Sequence, residues 1–265
     1  MNTILQMQNV SLTYHTSKNE TLAVQNLSFD CNEGELLGIV GPSGCGKTTI
    51  LSLMSGILTP SSGEVLIGGE KADCHSGMTG YMLQKDELMP WRSILSNVTL
   101  GLEIKKQKTA EKIEYAKELL KKYNLYDFKD FYPNQLSGGM KQRVALIRTL
   151  VMQPKLMLLD EPFSALDFQT RLNVVEDVYS ILKSENKSAV FVTHDISEAI
   201  SLCDRVIILT QRPSQVKKII DVSPLKELTP LQRRESPKFS AYFDEIWSNL
   251  QTTTEKRYET QNPQN

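Results

Sequence analysis

The sequence is sparing with the residues that mark several protein classes. Among its 265 residues there are four cysteines, Cys31, Cys45, Cys74 and Cys203. Their spacing fits neither a zinc site nor a thioredoxin-type pair, and so few cannot staple a chain this long, so reduced thiols are expected. A surplus of one charge is also missing: 30 basic residues face 31 acidic ones, for a net charge of -1. That balance removes a general attraction to nucleic acid, and no nucleic-acid partner is expected. No apolar stretch approaches the roughly 18 residues of a spanning helix. Met1 to Tyr14 lacks the basic start and apolar block of a signal peptide. A role at a membrane would therefore require another component to hold the chain there. What is present is ordinary globular material: 40% hydrophobic and 23% charged residues, enough for a sizeable core.

The hydrophobic pattern predicts an α/β chain. Strands are expected at Ile4–Tyr14 and Leu22–Phe29 around a polar turn, His15–Glu20, and again at Leu36–Val40, Gly63–Ile67 and Gly80–Leu83. A helix is expected over Thr48–Leu58. About residues 85–151 read as a helical insertion, with Ile113, Ala116, Leu119 and Leu120 at helical spacing and another helix from Ser137 through Leu150. Strands at Leu156–Leu159, Ala189–Thr193 and Val206–Leu209 then alternate with helices at Arg171–Lys183 and Ile196–Leu202. Continuous apolar strands alternating with helices argue for a mostly parallel sheet covered on both faces. A final helix is expected over about 236–250, carrying Phe239, Tyr242, Phe243, Ile246 and Leu250, followed by a disordered polar tail at 251–265.

Chemistry concentrates at three places. Gly41-Pro42-Ser43-Gly44-Cys45-Gly46-Lys47-Thr48 fits the P-loop pattern in full, between a predicted strand and a predicted helix. Such a loop turns its backbone N–H groups inward, and the following helix adds its positive end. Lys47 would serve the outer phosphates and Thr48 would offer a hydroxyl to Mg2+, with Thr49 next to it in the nucleotide-binding set. Asp160-Glu161 ends a buried strand, where Asp160 could hold Mg2+ and Glu161 could activate water, unless both are solvated loop acids. Ser137-Gly138-Gly139 opens a helix, either as a simple cap or as a second anion-binding helix end. Cys45 lies two residues from Lys47 at a helix start, so a reactive thiol with a lowered pKa is expected there.

Leu136-Ser137-Gly138-Gly139-Met140-Lys141-Gln142-Arg143 resembles the signature motif of ABC ATPases, and the P-loop, Asp160-Glu161 and the element order match as well, over about Ile4 to Asp221. The resemblance implies a P-loop NTPase core with an N-terminal antiparallel β part and a helical insertion subdomain. It implies a head-to-tail homodimer in which the P-loop of one copy and Ser137, Gly138 and Gly139 of the other close on ATP. By the same resemblance Tyr14 stacks on adenine, Gln84 is the Q-loop glutamine near Mg2+, Ser164 to Asp167 form the D-loop, and His194 is the switch histidine near the γ-phosphate. From the residues alone, Tyr14 could be a plain strand aromatic, Asp167 a helix cap, Gln84 a surface amide and His194 the cap of Ile196–Leu202. The stretch around Pro90-Trp91-Arg92 looks like the nitrate, sulfonate and taurine importer group, although Lys71–Thr79 is shorter than the matching segment there. Membrane permease subunits, an indirect solute-binding partner and a peripheral place on the cytoplasmic face of a bacterial membrane follow from that likeness. The alternatives are a soluble ABC ATPase working on nucleic acid, ribosomes or export, and a non-catalytic nucleotide sensor. The former usually carries a long coiled-coil insertion or a second ATPase unit, and neither is visible; intact Lys47, Asp160, Glu161 and His194 argue against the latter.

Overall fold

A computed structural model describes residues 2–15 and 19–261, with side chains described as far as residue 251. Two sheets carry the fold. The smaller is antiparallel, in the order β2-β1-β4-β5, from β1 (Thr3–His15), β2 (Glu20–Asn32), β4 (Ser62–Ile67) and β5 (Glu70–Lys71). The larger has the order β10-β9-β3-β8-β7-β6, from β3 (Leu36–Val40), β6 (Thr79–Met82), β7 (Leu156–Asp160), β8 (Ser188–Thr193), β9 (Arg205–Leu209) and β10 (Val216–Asp221). Its strands are parallel except for β10, which pairs antiparallel with β9. The turn expected at His15–Glu20 falls in part on residues 16–18, outside the described residues.

The continuous apolar strands are buried on both faces, and their two-residue period divides the interior. Leu36 and Val40 of β3 and Phe191 of β8 enter one core; Leu37, Ile39, Val190 and Val192 enter the other. The second core lies under the antiparallel sheet and also takes Ile50, Leu51, Leu53 and Met54 of α1 (Lys47–Met54). The first core is shared with the helices between β6 and β7: α2 (Ile94–Val98), α3 (Leu100–Ile104), α4 (Ala110–Lys122) and α5 (Gly138–Leu150). In α4 three of the four residues expected to face inward, Ala116, Leu119 and Leu120, are buried and Ile113 is half-buried, while Thr109 caps the first turn. The same core receives α6 (Phe168–Ser184) and α7 (Ile196–Leu202).

Two elements at the end of the chain were not read from the sequence. These are β10 and α8 (Pro230–Glu235), the latter burying Arg233 against the carbonyls of Ile200 and Cys203. The last helix, α9 (Pro237–Gln261), continues past residue 250, so residues 251–261 extend it where a disordered tail was expected. Residues 262–265 of that expected tail lie outside the described residues. Among the described residues no helix is long and apolar enough to cross a membrane.

Candidate nucleotide site

Every parallel strand of the large sheet hands a polar group to the same edge at its carboxyl end, the position where open α/β sheets bind ligands. In sheet order, β9 leads to Arg212, β3 to the loop 41–46, β8 to His194, β7 to Asp160 and Glu161, and β6 to Gln84. A cleft of about 560 Å3 opens there, lined by Ser43, Gly44, Gly46, Lys47, Thr48, Thr49, Glu161, His194 and Arg212.

The loop owes its shape to glycine. Gly44 and Gly46 sit at φ +72 and +112, a region that side-chain-bearing residues rarely adopt, and a Cβ on Gly41 would stand 2.9 Å from the Cys45 sulfur. Lys47 is buried and donates from Nζ to the carbonyls of Gly41 (2.9 Å) and Pro42 (3.2 Å), which holds the ammonium against the loop it serves. Thr49 pairs with the hydroxyl of Tyr14 at 3.1 Å, so the exposed Tyr14 borders the site through its polar tip. Pro42 stays with the loop through its carbonyl.

The acidic strand end is not a pair of solvated loop acids. Asp160 is only 8% exposed and accepts from the Tyr81 hydroxyl at 3.3 Å. Burial pushes its carboxyl above the ordinary aspartate value, with hydrogen bonds from Thr48 and Tyr81 opposing the shift. A hydroxyl beside a desolvated carboxylate is an oxygen donor set suited to Mg2+, and a divalent cation would offset the burial of that charge. Glu161 stands at φ 44, the left-handed region, held by its N–H donating to the Val192 carbonyl (2.8 Å) and by the Ser164 hydroxyl donating to its own carbonyl (3.0 Å). Its Oε2 meets His194 Nδ1 at 3.2 Å and the Gln84 amide nitrogen at 3.3 Å. Gln84 also donates to Ser164 Oγ at 3.2 Å, so its nitrogen joins the site through Glu161 and the 164–167 loop.

His194 does not cap α7. Asp195 does, accepting from the N–H groups of Ser197 (2.7 Å) and Glu198 (3.3 Å), which leaves the histidine side chain free to face the cleft. Asp167 caps α6 by accepting from Thr170 N–H at 3.1 Å, and hydrogen bonds from Thr170 hold its carboxyl below the usual range. Ser137 likewise caps α5, accepting from Met140 N–H at 3.3 Å. Ser137 and Gly138 are exposed, Gly139 is packed against Val174 and Thr170 of α6, and none of the three lines the cleft.

One expectation is overturned. Cys45 is 1% exposed, and burial pushes its thiol above the ordinary value despite the opposing charge of Lys47. Its backbone belongs to the phosphate loop, but its sulfur faces the core, so it is not a reactive thiol. One lining residue was missed. Arg212, after β9, donates to the Gly44 carbonyl at 3.1 Å, and its only sequence signal was its place after an apolar strand.

A family described as ABC transporter matches residues 24–164. An uncharacterized ABC transporter ATP-binding protein, YtlC of Bacillus subtilis, is 44% identical over 93% of this chain and 95% of its own length. The nitrate import ATP-binding protein NrtD of Synechocystis sp. is 35% identical over 93% of this chain and 94% of its own. A dimeric, post-hydrolysis structure of the ATP-binding cassette MJ0796 with ADP and Pi overlays with a TM-score of 0.70 at 31% identity, covering 83% of this chain and 99% of that one.

Proposed function

This chain belongs to the ABC transporter family as an ATP-binding, ATP-hydrolysing subunit, and we propose that two copies, arranged head to tail, power solute import through a membrane permease. The observation that carries the dimer is the separation of the two anion-binding helix starts. Ser43, Gly44 and Gly46 of the loop line the cleft with Glu161 and His194, whereas the helix start capped by Ser137, with Ser137 and Gly138 exposed, lies outside it. A second copy supplies the missing side of the phosphate site, as the dimeric cassette MJ0796 makes reasonable.

Within each composite site Lys47 and the loop N–H groups receive the β- and γ-phosphates. Thr48 and Asp160, with Gln84 nearby, would hold Mg2+, which supplies positive charge to the phosphates. Glu161 would accept a proton from the attacking water, and His194, paired with Glu161 at 3.2 Å, would steady the γ-phosphate and the base together. Tyr14 offers its face to adenine, and Asp167, at the start of α6, belongs to the loop that meets the other copy.

Import, rather than export or work on nucleic acid, is supported by the likeness to the nitrate import protein over nearly the full chain. In this reading the subunit lies on the cytoplasmic face of the membrane, with a solute-binding protein acting through the permease on the other side. Mixing chains tests the dimer. Ser137→Arg and Lys47→Ala should each abolish hydrolysis alone, while their mixture regains a fraction of wild-type turnover, because each mixed dimer keeps one intact composite site. A mixture as inactive as its components would contradict the head-to-tail arrangement.

A further inference from the structure

The carboxyl end of β9 is the one strand end at this edge whose group the reaction above does not use. It leads into a turn that is fastened to the phosphate loop at two successive carbonyls. The Ser214 hydroxyl donates to the Cys45 carbonyl, and Arg212 donates from Nη2 to the Gly44 carbonyl at 3.1 Å. The turn itself is closed. Thr210 donates through its hydroxyl to the carbonyls of Gln211 (2.9 Å) and Pro213 (3.1 Å) and accepts from Gln215 N–H (3.0 Å). Ser214 is fully buried, and its backbone exchanges hydrogen bonds with Ala23 and Gln25 of β2. Arg212 is thus an exposed cation carried on a rigid mount.

The mount has two consequences. Engaging the Gly44 and Cys45 carbonyls fixes this part of the loop's backbone before a ligand arrives. It also places a guanidinium in the wall of the same 560 Å3 cleft that Lys47, Glu161 and His194 line, on the β9 flank of the loop. A guanidinium has five donors, and the Gly44 carbonyl engages only one of its nitrogens.

We propose that Arg212 is a specificity residue of the nucleotide site, contacting the terminal phosphate and favouring nucleoside triphosphate over diphosphate. The proposal rests on the nucleotide reading above. Arginine suits the role because its fork matches phosphate oxygens and its charge does not titrate away.

The test is calorimetric titration of the intact chain with MgATP and with MgADP, in a Glu161→Gln background that suppresses hydrolysis. Arg212→Gln keeps a donor for the Gly44 carbonyl and removes the charge; Arg212→Lys keeps the charge. Arg212→Gln should weaken MgATP by about tenfold, the loss expected for one charge-assisted hydrogen bond, and change MgADP by less than about twofold. Arg212→Lys should recover part of the ATP affinity. Equal losses for ATP and ADP would make Arg212 a brace for the loop and overturn the proposal, as would no loss for either. Lys47→Ala separates this from the underlying reading. If Lys47→Ala lowers affinity for both nucleotides while Arg212→Gln changes nothing, only Arg212 is wrongly assigned. If the Arg212-bearing chain binds neither nucleotide, the nucleotide site and the proposal fall together.

Discussion

Glu161 combines two features that rarely occur by chance in one residue: a left-handed backbone and a carboxylate shared with a histidine and a glutamine. A non-glycine residue in that region costs on the order of 1–3 kcal/mol, so the surroundings must hold it there. They do so through Val192 and Ser164, which aim the carboxylate into the cleft. Replacing Glu161 by Gln preserves shape and removes the base. Turnover should fall by about 10²–10⁴-fold while ATP binding persists, and a phosphate-release assay beside a binding titration checks both. The cysteines give a second prediction at this scale. Cys74 is exposed, and Cys31, Cys45 and Cys203 are buried with thiols pushed up by burial. A maleimide at pH 7 should therefore label Cys74 alone in the folded chain and spare the ATPase, with the other three reacting only after unfolding, as peptide mapping would establish. Labelling of Cys45 in the folded chain would contradict this. Sequence adjacency to Lys47 was legible, but the direction of the sulfur was not, because it is fixed by the close approach of Gly41 to Cys45. Arg212 was hidden for a similar reason: its relation to Gly44 spans a long stretch of chain and has no local pattern.

At the scale of elements, the parallel strands and the longer helices were legible because their periods are carried by residues buried on defined faces. Ile196–Leu202 is placed as the pattern predicts, and β7 differs from its expected span only by including Asp160. The edge strand β10 was not legible: Val216-Lys217-Lys218 breaks the apolar run, and only one of its residues is fully buried. Nor was α8, whose sequence reads as a charged surface, yet Arg233 is 0% exposed, lying over Tyr179 and tied to three carbonyls. The turn before α2 makes the opposite display. Buried Asn97 accepts from Met89 N–H and donates to the carbonyls of Met89, Arg92 and Ser93, fixing a turn that leaves Trp91 73% exposed. Trp91→Ala should therefore shift the melting midpoint by less than about 2 °C, as for a surface substitution. A buried tryptophan would instead cost roughly 3–5 kcal/mol. If this turn receives the permease, the same variant should lose co-purification with the membrane subunits, and retained co-purification would remove Trp91 from the docking surface.

At the scale of the whole molecule, the sheet gathers a nearly complete phosphate site at one edge and leaves one helix start outside it. That helix start is seated by the α5–α6 packing, where Gly139 is pressed against Val174 and Thr170, and it does not line the cleft. Ser137 and Gly138 are exposed outside the cleft, where a second copy would bring its own phosphate loop against them. The signature stretch was legible in the sequence as a motif, but its distance from the loop 41–46 was not, since that depends on how α5 is seated against α6. The most direct measurement is light scattering of the purified Glu161→Gln chain with and without MgATP. The account predicts a monomer without nucleotide and a dimer with MgATP, dispersed again by Ser137→Arg in the same background. A Glu161→Gln chain that binds MgATP and remains a monomer would contradict the composite site.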